Sequence, residues 1–79
     1  GREDIPHIVV ETNHVRVKSQ KDAWISIYTT HGSMVQMLKS SSGNWMESMP
    51  LNDDFYVVRV QETGQKAYSR KVLIRTVGK

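Results

Sequence analysis

The sequence predicts an all-β protein, a sandwich or small barrel of about seven short antiparallel strands. Three observations support this prediction. Runs rich in β-branched and aromatic residues recur along the 79-residue chain, turn-forming residues separate them every roughly 8 to 12 residues, and little of the chain follows the 3.6-residue period of a helix. A chain of this length forms one domain with a thin core.

The N-terminal part is predicted to be a linker followed by a hairpin. Gly1 to Pro6 has no period and contains a proline, so we assign it as a linker from a preceding domain, with residues 7–79 forming a single β-sandwich domain. His7 to Glu11 and His14 to Lys18 are predicted strands, and in the second of them valines alternate with polar residues. The turn between them is Thr12-Asn13, because asparagine tolerates the left-handed backbone conformation.

A second hairpin is predicted in the middle of the chain. Ala23 to Thr30 reads as a strand that turns Ile25 and Ile27 inward, and His31-Gly32 is a two-residue turn signal. Ser33 to Lys39 is the paired strand. The apolar residues of that last run also fit a helical period, but a single turn is too short to be stable alone, so we predict a strand.

The next segments connect this hairpin to the last one. Ser40 to Gly43 has the composition of a flexible loop. Asn44 to Met49 is predicted to be a short, irregular strand. Pro50 to Asp53 is predicted to turn the chain into the final hairpin.

The final hairpin, Asp54 to Arg75, is the segment around which the domain is expected to be organised. Its two runs favour β structure and flank Gly64, which accepts a positive φ without strain. A loop with Gly64 in the left-handed region fixes the register. The predicted cross-strand pairs are Tyr56 with Val72, Val58 with Arg70, and Val60 with Tyr68. Phe55, Val57 and Leu73 share the other face, so at least one strand is expected inside a sheet.

The positive charge of the chain is concentrated in this hairpin. The net charge is +3. From Arg59 onward, one acidic residue, Glu62, stands against the basic residues Arg59, Lys66, Arg70, Lys71, Arg75 and Lys79. A basic hairpin of this kind suits an acidic protein surface, an anionic lipid or a nucleic acid. The alternative explanation is that the charges protect an edge strand from aggregation.

The residues do not predict an enzyme or a cofactor. The three histidines, His7, His14 and His31, lack the spacing of metal ligands, although His7 and His14 could face each other across the first hairpin. Asp53-Asp54 fits a solvated turn better than a calcium loop, and the serines have no nucleophile-elbow motif. Nucleic acid is not an expected partner, because the aromatic residues of the last hairpin lie within aliphatic runs, as core residues do. With no cysteine in the chain, no disulfide is available.

Two segments of the sequence resemble a known family. ISIYTTHGSMV, from Ile25 to Val35, is similar to the IYDxxGRxV motif, and the Asp54 to Arg75 hairpin is similar to the GVYxVRVxxxGKxYxxKVxV ending of the C-terminal sorting domains of the type IX secretion system. HIVVETNHVRVKSQ, from His7 to Gln20, resembles the two strands that precede these motifs in the gingipain-like variant of the family. The resemblance therefore extends over nearly the whole chain in the same order.

The resemblance implies an immunoglobulin-like β-sandwich that directs its parent protein across the outer membrane. The implied partners are the outer-membrane translocon, a surface sortase-like peptidase and anionic lipopolysaccharide, and the implied location is the periplasm in transit and then the surface of a Gram-negative bacterium. The positions that match the family motifs, and are therefore expected to carry recognition, are Gly32, Val35, Tyr56, Val58, Arg59, Gly64, Lys66, Tyr68, Lys71, Val72, Ile74 and Arg75.

The chain also departs from the family pattern. Ser33 stands where the motif has arginine, Asp54 stands where it has glycine, and Thr76 to Lys79 follow the usual basic ending. These departures fit a protein that keeps its domain, such as an accessory component of the sortase machinery. The alternative function is therefore a retained immunoglobulin-like module that binds carbohydrate or protein through an aromatic patch. The expected patch residues are Trp24, Tyr28 and Trp45. An exposed terminal edge strand could also pair two copies into a dimer.

Overall fold

The computed structural model describes residues 5–76, and this part of the chain is all-β, with seven antiparallel strands in two sheets and no helix. The all-β prediction and the number of strands are confirmed. The strands are β1 (His7–Glu11), β2 (His14–Lys18), β3 (Ala23–Thr29), β4 (Met34–Ser40), β5 (Trp45–Glu47), β6 (Asp54–Glu62) and β7 (Tyr68–Ile74). Gly1 to Asp4 of the predicted linker and Val77 to Lys79 lie outside the described residues. No helix within residues 5–76 is long and apolar enough to span a membrane.

The strands divide into a three-stranded sheet and a four-stranded sheet. The first has the order β1-β2-β5 and the second the order β4-β3-β6-β7. β6 lies between β3 and β7, as expected for a strand that is apolar on both faces. The register predicted for the last hairpin is confirmed. The pairs are Tyr56 with Val72, Val58 with Arg70, and Val60 with Tyr68.

The core lies between the two sheets and is built from alternate residues of their strands. Val15 and Val17 of β2 are 1% exposed, and Ile25, Ile27 and Val58 from the other sheet are fully buried. This period of two follows from the pleat of a strand, which turns successive side chains to opposite faces. The remaining buried apolar residues are Ile8, Ala23, Leu51, Tyr56, Val60, Val72 and Ile74.

Two of the three predicted hairpin turns differ in detail from expectation. The β1–β2 turn is Thr12-Asn13, as predicted, but the residue with positive φ is Thr12, at +52°, so the expectation that asparagine takes this conformation is wrong. The β3–β4 connection has four residues, 30–33, and within it the Thr29 N–H donates to the Ser33 carbonyl and the Gly32 N–H donates to the Thr29 carbonyl. The predicted two-residue turn is therefore wrong, although Gly32 does adopt a left-handed φ of +93°. Gly64 has a φ of +75°, as predicted.

A β-bulge changes the register of β4. Ile27 pairs with Gln36, and the next residue of β3, Tyr28, pairs with Met34, so Val35 has no partner on β3. A bulge of this kind inserts one extra residue and turns two consecutive side chains toward the same face. Met34 and Val35 are accordingly both exposed. The segment is a strand, as predicted, and not a helical turn.

The loop predicted to be flexible is anchored by hydrogen bonds. Ser40 belongs to β4 and is 1% exposed. Beyond it, the Gly43 N–H donates to the Ser19 carbonyl at 2.9 Å, and the Ser42 hydroxyl donates to the Gln20 carbonyl at 2.7 Å. The Ser42 N–H donates to a carboxylate oxygen of Asp22. The loop is therefore tied to the β2–β3 connection.

Candidate functional site

Four of the residues expected to carry recognition are core residues. Tyr56 is 6% exposed, Val58 is fully buried, Val72 is 5% exposed and Ile74 is fully buried. All four lie on the inner face of the four-stranded sheet, where their side chains cannot meet a partner without unfolding. Their role in any recognition is therefore to hold the hairpin in shape.

The two motif glycines lie in turns at opposite ends of the four-stranded sheet. Thr29, just before the turn that contains Gly32, pairs with Tyr56 at the start of β6, whereas Gly64 follows the end of β6. Neither glycine has any atom within 4 Å of the position that a Cβ would occupy. Each is needed for its left-handed backbone rather than for close packing. The structure does not bring the two turns into one site.

The exposed motif residues are mostly basic and lie on or beside β7. Lys66 precedes the strand, Lys71 lies within it and Arg75 follows it, and all three are exposed. Tyr68, at the start of β7, is half-buried. β7 pairs only with β6 among residues 5–76, so it is an edge strand. Lys71 stands with its ammonium 4.8 Å from the centroid of the Phe55 ring.

The end of β7 is fastened to the turn that precedes β6. One carboxylate oxygen of Asp53 accepts a hydrogen bond from the Thr76 hydroxyl at 2.7 Å and another from the Thr76 N–H at 3.1 Å. These hydrogen bonds, the one from the hydroxyl first, lower the pKa of Asp53, and the nearby charge of Arg75 adds to the effect. The anchored end keeps the edge strand in line with the sheet.

Tyr56 links the same turn to the core. Its ring is buried, and its hydroxyl donates to the Asn52 carbonyl, four residues upstream, at 2.8 Å. Burial raises the pKa of Tyr56, and the charges of Asp54 and Asp53 raise it further, because they oppose a second negative charge. This tyrosine therefore stays neutral and fixes the entry of the chain into β6.

β1, an edge strand of the three-stranded sheet, contacts β7, an edge strand of the four-stranded sheet. Arg70 of β7 donates from its guanidinium to the Ile8 carbonyl of β1 at 3.1 Å. An open groove of about 490 Å³ lies beside this contact and is lined in part by Pro6, His7 and Tyr68. Two edge strands therefore border one groove, with a cation between them.

The three aromatic residues of the expected ligand patch do not form one surface. Trp24 and Tyr28 lie on the outer face of the four-stranded sheet, whereas Trp45 lies on the outer face of the three-stranded sheet, where it pairs with Lys18 of β2. The two tryptophans are on opposite sides of the molecule, although both are exposed, by 49% and 41%. The sequence could not separate them, because strand alternation does not say to which sheet a strand belongs.

The Trp45 ring is surrounded by charged side chains. The guanidinium carbon of Arg16 lies 4.6 Å from its centroid and the Lys18 ammonium 5.9 Å from it. The His7 ring stands at 6.5 Å, tilted by 53°. The face that a sugar ring would stack on is therefore already in contact with cations.

The histidines do not come together. His7 pairs with Lys18 and His14 with Glu11, at opposite ends of the first hairpin, so the expectation that the two histidines could face each other is wrong. The imidazole of His14 instead lies 3.3 Å from a carboxylate oxygen of Glu47. Within residues 5–76 there is no group of three or more His, Cys, Asp or Glu residues that could hold a metal ion.

Sequence reasoning missed a buried carboxylate. Glu62, at the end of β6, is 6% exposed, and one of its carboxylate oxygens accepts the Gln20 N–H at 2.7 Å and the Lys21 N–H at 3.3 Å. From the sequence, Glu62 was expected only to be a charged residue next to the turn that contains Gly64. No local signal marks this residue, because its partners are about forty positions away in the chain.

The chain matches no protein-family model and no curated protein.

Proposed function

We propose that this domain is a noncatalytic C-terminal signal domain that directs its parent protein across the outer membrane by the type IX secretion system and is recognised by the surface sortase machinery. The observation that carries the proposal is the position of β7. This strand has the sequence that matches the family ending, it forms the edge of a sheet, and it is anchored in the core by Val72 and Ile74. An anchored edge strand is a surface that another protein can read by strand addition.

As part of this proposal, the two sheets form an immunoglobulin-like β-sandwich. Two packed antiparallel sheets are its general architecture, and the bond from the Tyr56 hydroxyl to the Asn52 carbonyl gives further support. Immunoglobulin-like domains commonly have a tyrosine near the start of one strand whose hydroxyl bonds to the backbone a few residues upstream. The matched core residues would then preserve this sandwich, and the matched exposed residues would meet the partner.

Charge on β7 supports recognition by an acidic or anionic partner. Lys71 and Arg75 are exposed along and beside the strand, whereas Arg70, on the opposite face of β7 from Lys71, donates to the Ile8 carbonyl. Like charges on an edge discourage pairing between copies, so the proposed partner is not a second copy of the domain. The proposed partners are the outer-membrane translocon, the sortase-like peptidase and anionic lipopolysaccharide, met in the periplasm and then at the cell surface.

A reporter fusion tests the proposal. The domain is fused to the C-terminus of a fluorescent protein that carries a signal peptide, and the fusion is expressed in a bacterium with an intact type IX system and in a translocon-null strain. We expect surface export in the first strain only. A diffuse, heavier band would add evidence of cleavage and glycolipid attachment. Periplasmic retention in both strains, with the domain folded, would overturn the proposal.

Matched charge variants separate recognition from folding. Lys71→Glu combined with Arg75→Glu reverses two exposed charges at β7, and the control, Lys18→Glu combined with Lys21→Glu, makes the same change in net charge on and after β2. Export should fall at least about tenfold in the first variant and remain near wild type in the control. Equal export by both variants would show that the edge strand is not the surface that is read.

The alternative of a carbohydrate-binding module has less support. Its three expected residues lie on two opposite sheets, and a cation stands over each tryptophan ring, with Lys39 lying 5.5 Å from the centroid of Trp24. A sugar would have to displace these cations before it could stack.

A further inference from the structure

The outer face of the four-stranded sheet carries an exposed apolar surface, which we call the outer sheet face. Six large apolar side chains on it are between 41% and 52% exposed. They are Trp24, Met34, Val35, Met37, Phe55 and Leu73. Four strands about 4.8 Å apart, over some six residues of about 3.3 Å each, give a footprint of roughly 400 Å². That footprint includes the polar residues of the face, and a cluster of large exposed apolar side chains on one face of a small protein often marks an interaction site.

Cations without carboxylate partners lie among these apolar residues. Lys39 stands over Trp24 and Lys71 over Phe55, and Arg59 lies between them on β6. Arg59 donates to the Gln61 side chain, but none of the three forms an ion pair within residues 5–76. The strand positions that point to this face include no aspartate or glutamate. The face is therefore apolar and positive.

This charge distribution argues against a second copy as the occupant. Two copies docked through the same face would place three uncompensated cations opposite three others, and like charges brought together in an interface are unfavourable. The footprint of roughly 400 Å² is about half of the 800 Å² that each partner contributes to a standard stable interface, so any protein contact through this face alone is transient.

A polar pair in the middle of the face argues against insertion into lipid. Arg59 of β6 pairs with Ser69 of β7, so a guanidinium and an exposed hydroxyl lie side by side. Hydrocarbon offers no hydrogen-bond partners to such groups. A protein surface does, through its carboxylates and backbone carbonyls.

We propose that the outer sheet face binds a partner protein whose apolar surface carries carboxylates positioned for Arg59 and Lys71. The apolar side chains supply the attraction through burial, and the charges set which partners are accepted. The modest footprint makes this a transient contact. The outer sheet face shares Lys71 and Leu73 with β7, but binding to it does not depend on the secretion role, and its tests use other positions.

A binding experiment with defined peptides tests this proposal. In the Trp45→Phe variant, Trp24 is the only tryptophan left in the chain, so its fluorescence reports directly on the outer sheet face. The probe is an amphipathic peptide with leucines flanked by glutamates, and its twin has lysines in place of the glutamates. We expect saturable binding of the glutamate peptide and at least tenfold weaker binding of the lysine twin. The Trp24→Phe variant, which keeps Trp45 on the opposite sheet, should report little change.

Variants of the face locate the binding. Phe55→Ser and Arg59→Gln should each weaken binding of the glutamate peptide about tenfold, whereas Val9→Ser, at a valine that is 39% exposed on the other sheet, should not. Thermal melts confirm that each variant is folded. Equal binding of the two peptides, no saturable binding below about 1 mM, or no effect of the face variants would overturn the proposal.

Two further outcomes would also overturn it in favour of other occupants. Binding to phosphatidylglycerol vesicles without binding to the glutamate peptide would assign the face to lipid. A concentration-dependent dimer in sedimentation that Phe55→Ser abolishes would assign it to a second copy. None of these results bears on export of the reporter fusion, so failure here is distinguishable from failure of the secretion proposal.

Discussion

Replacing Tyr56 by phenylalanine should destabilise the domain by about 1 kcal/mol. The ring is 6% exposed and would keep its packing, so the change removes only the hydroxyl and its 2.8 Å hydrogen bond to the Asn52 carbonyl. Asn52 is exposed, so water can replace the lost donor at that carbonyl and the penalty stays near that of one hydrogen bond. For a domain of this size, about 1 kcal/mol lowers the melting temperature by roughly 4 to 8 °C.

The difference in stability between the wild type and Tyr56→Phe should also depend on pH. Burial raises the pKa of Tyr56 above the ordinary value of 10.0, with Asp54 and Asp53 adding to it. Above pH 10 the unfolded chain therefore ionises this tyrosine while the folded chain still holds the proton, which favours unfolding of the wild type. Phenylalanine does not ionise. The extra stability of the wild type over Tyr56→Phe is fully present below pH 10 and should decrease as the pH rises above 10.

Urea unfolding followed by circular dichroism, at pH values from about 7 to 11, measures both effects. Tyr28→Phe is the matched control, because Tyr28 is half-buried on the outer sheet face and its hydroxyl makes no hydrogen bond within residues 5–76. The control should stay within about 0.5 kcal/mol of wild type at neutral pH. The reasoning is refuted if Tyr56→Phe is as stable as wild type at neutral pH, or if the difference does not narrow above pH 10.

Two other substitutions test contacts that hold the loops. Glu62→Ala removes the carboxylate that accepts the Gln20 and Lys21 N–H groups, so we expect the free energy of unfolding in urea to fall by about 2 kcal/mol. The exposed control, Glu47→Ala, should lose at most about 0.5 kcal/mol. Similar losses in both variants would contradict this role of Glu62. Thr12→Gly replaces a β-branched residue at a φ of +52° by one that accepts this conformation without strain, so thermal unfolding should show a gain in stability of up to about 1 kcal/mol. A destabilised variant would show that the turn is not strained.

The sequence was sufficient to predict the strands and the register of the last hairpin. Both depend on local signals: alternation of apolar and polar residues marks each strand, and a glycine with positive φ sets the turn between two strands of matching pattern. Gly64 and the pair Val58–Arg70 are as predicted. Turn details were less predictable, because Thr12 has a positive φ that its side chain disfavours, in a turn held by the pairing of β1 with β2 and by the hydrogen bond from the Leu51 N–H to the Asn13 carbonyl.

The sequence predicted the three hairpins, but the tertiary structure alone decided how the hairpins and β5 combine into two sheets. β5 joins β1 and β2, and β4 joins β3, β6 and β7. This division separates Trp45 from Trp24 and leaves the aromatic patch expected from sequence on two sides of the molecule. It also places Phe55 and Leu73 on the same sheet as Met34 and Met37, which assembles the outer sheet face from four strands. Strand alternation fixes which residues share a face within one strand, but the pairing of distant strands depends on packing between layers, which no local pattern encodes.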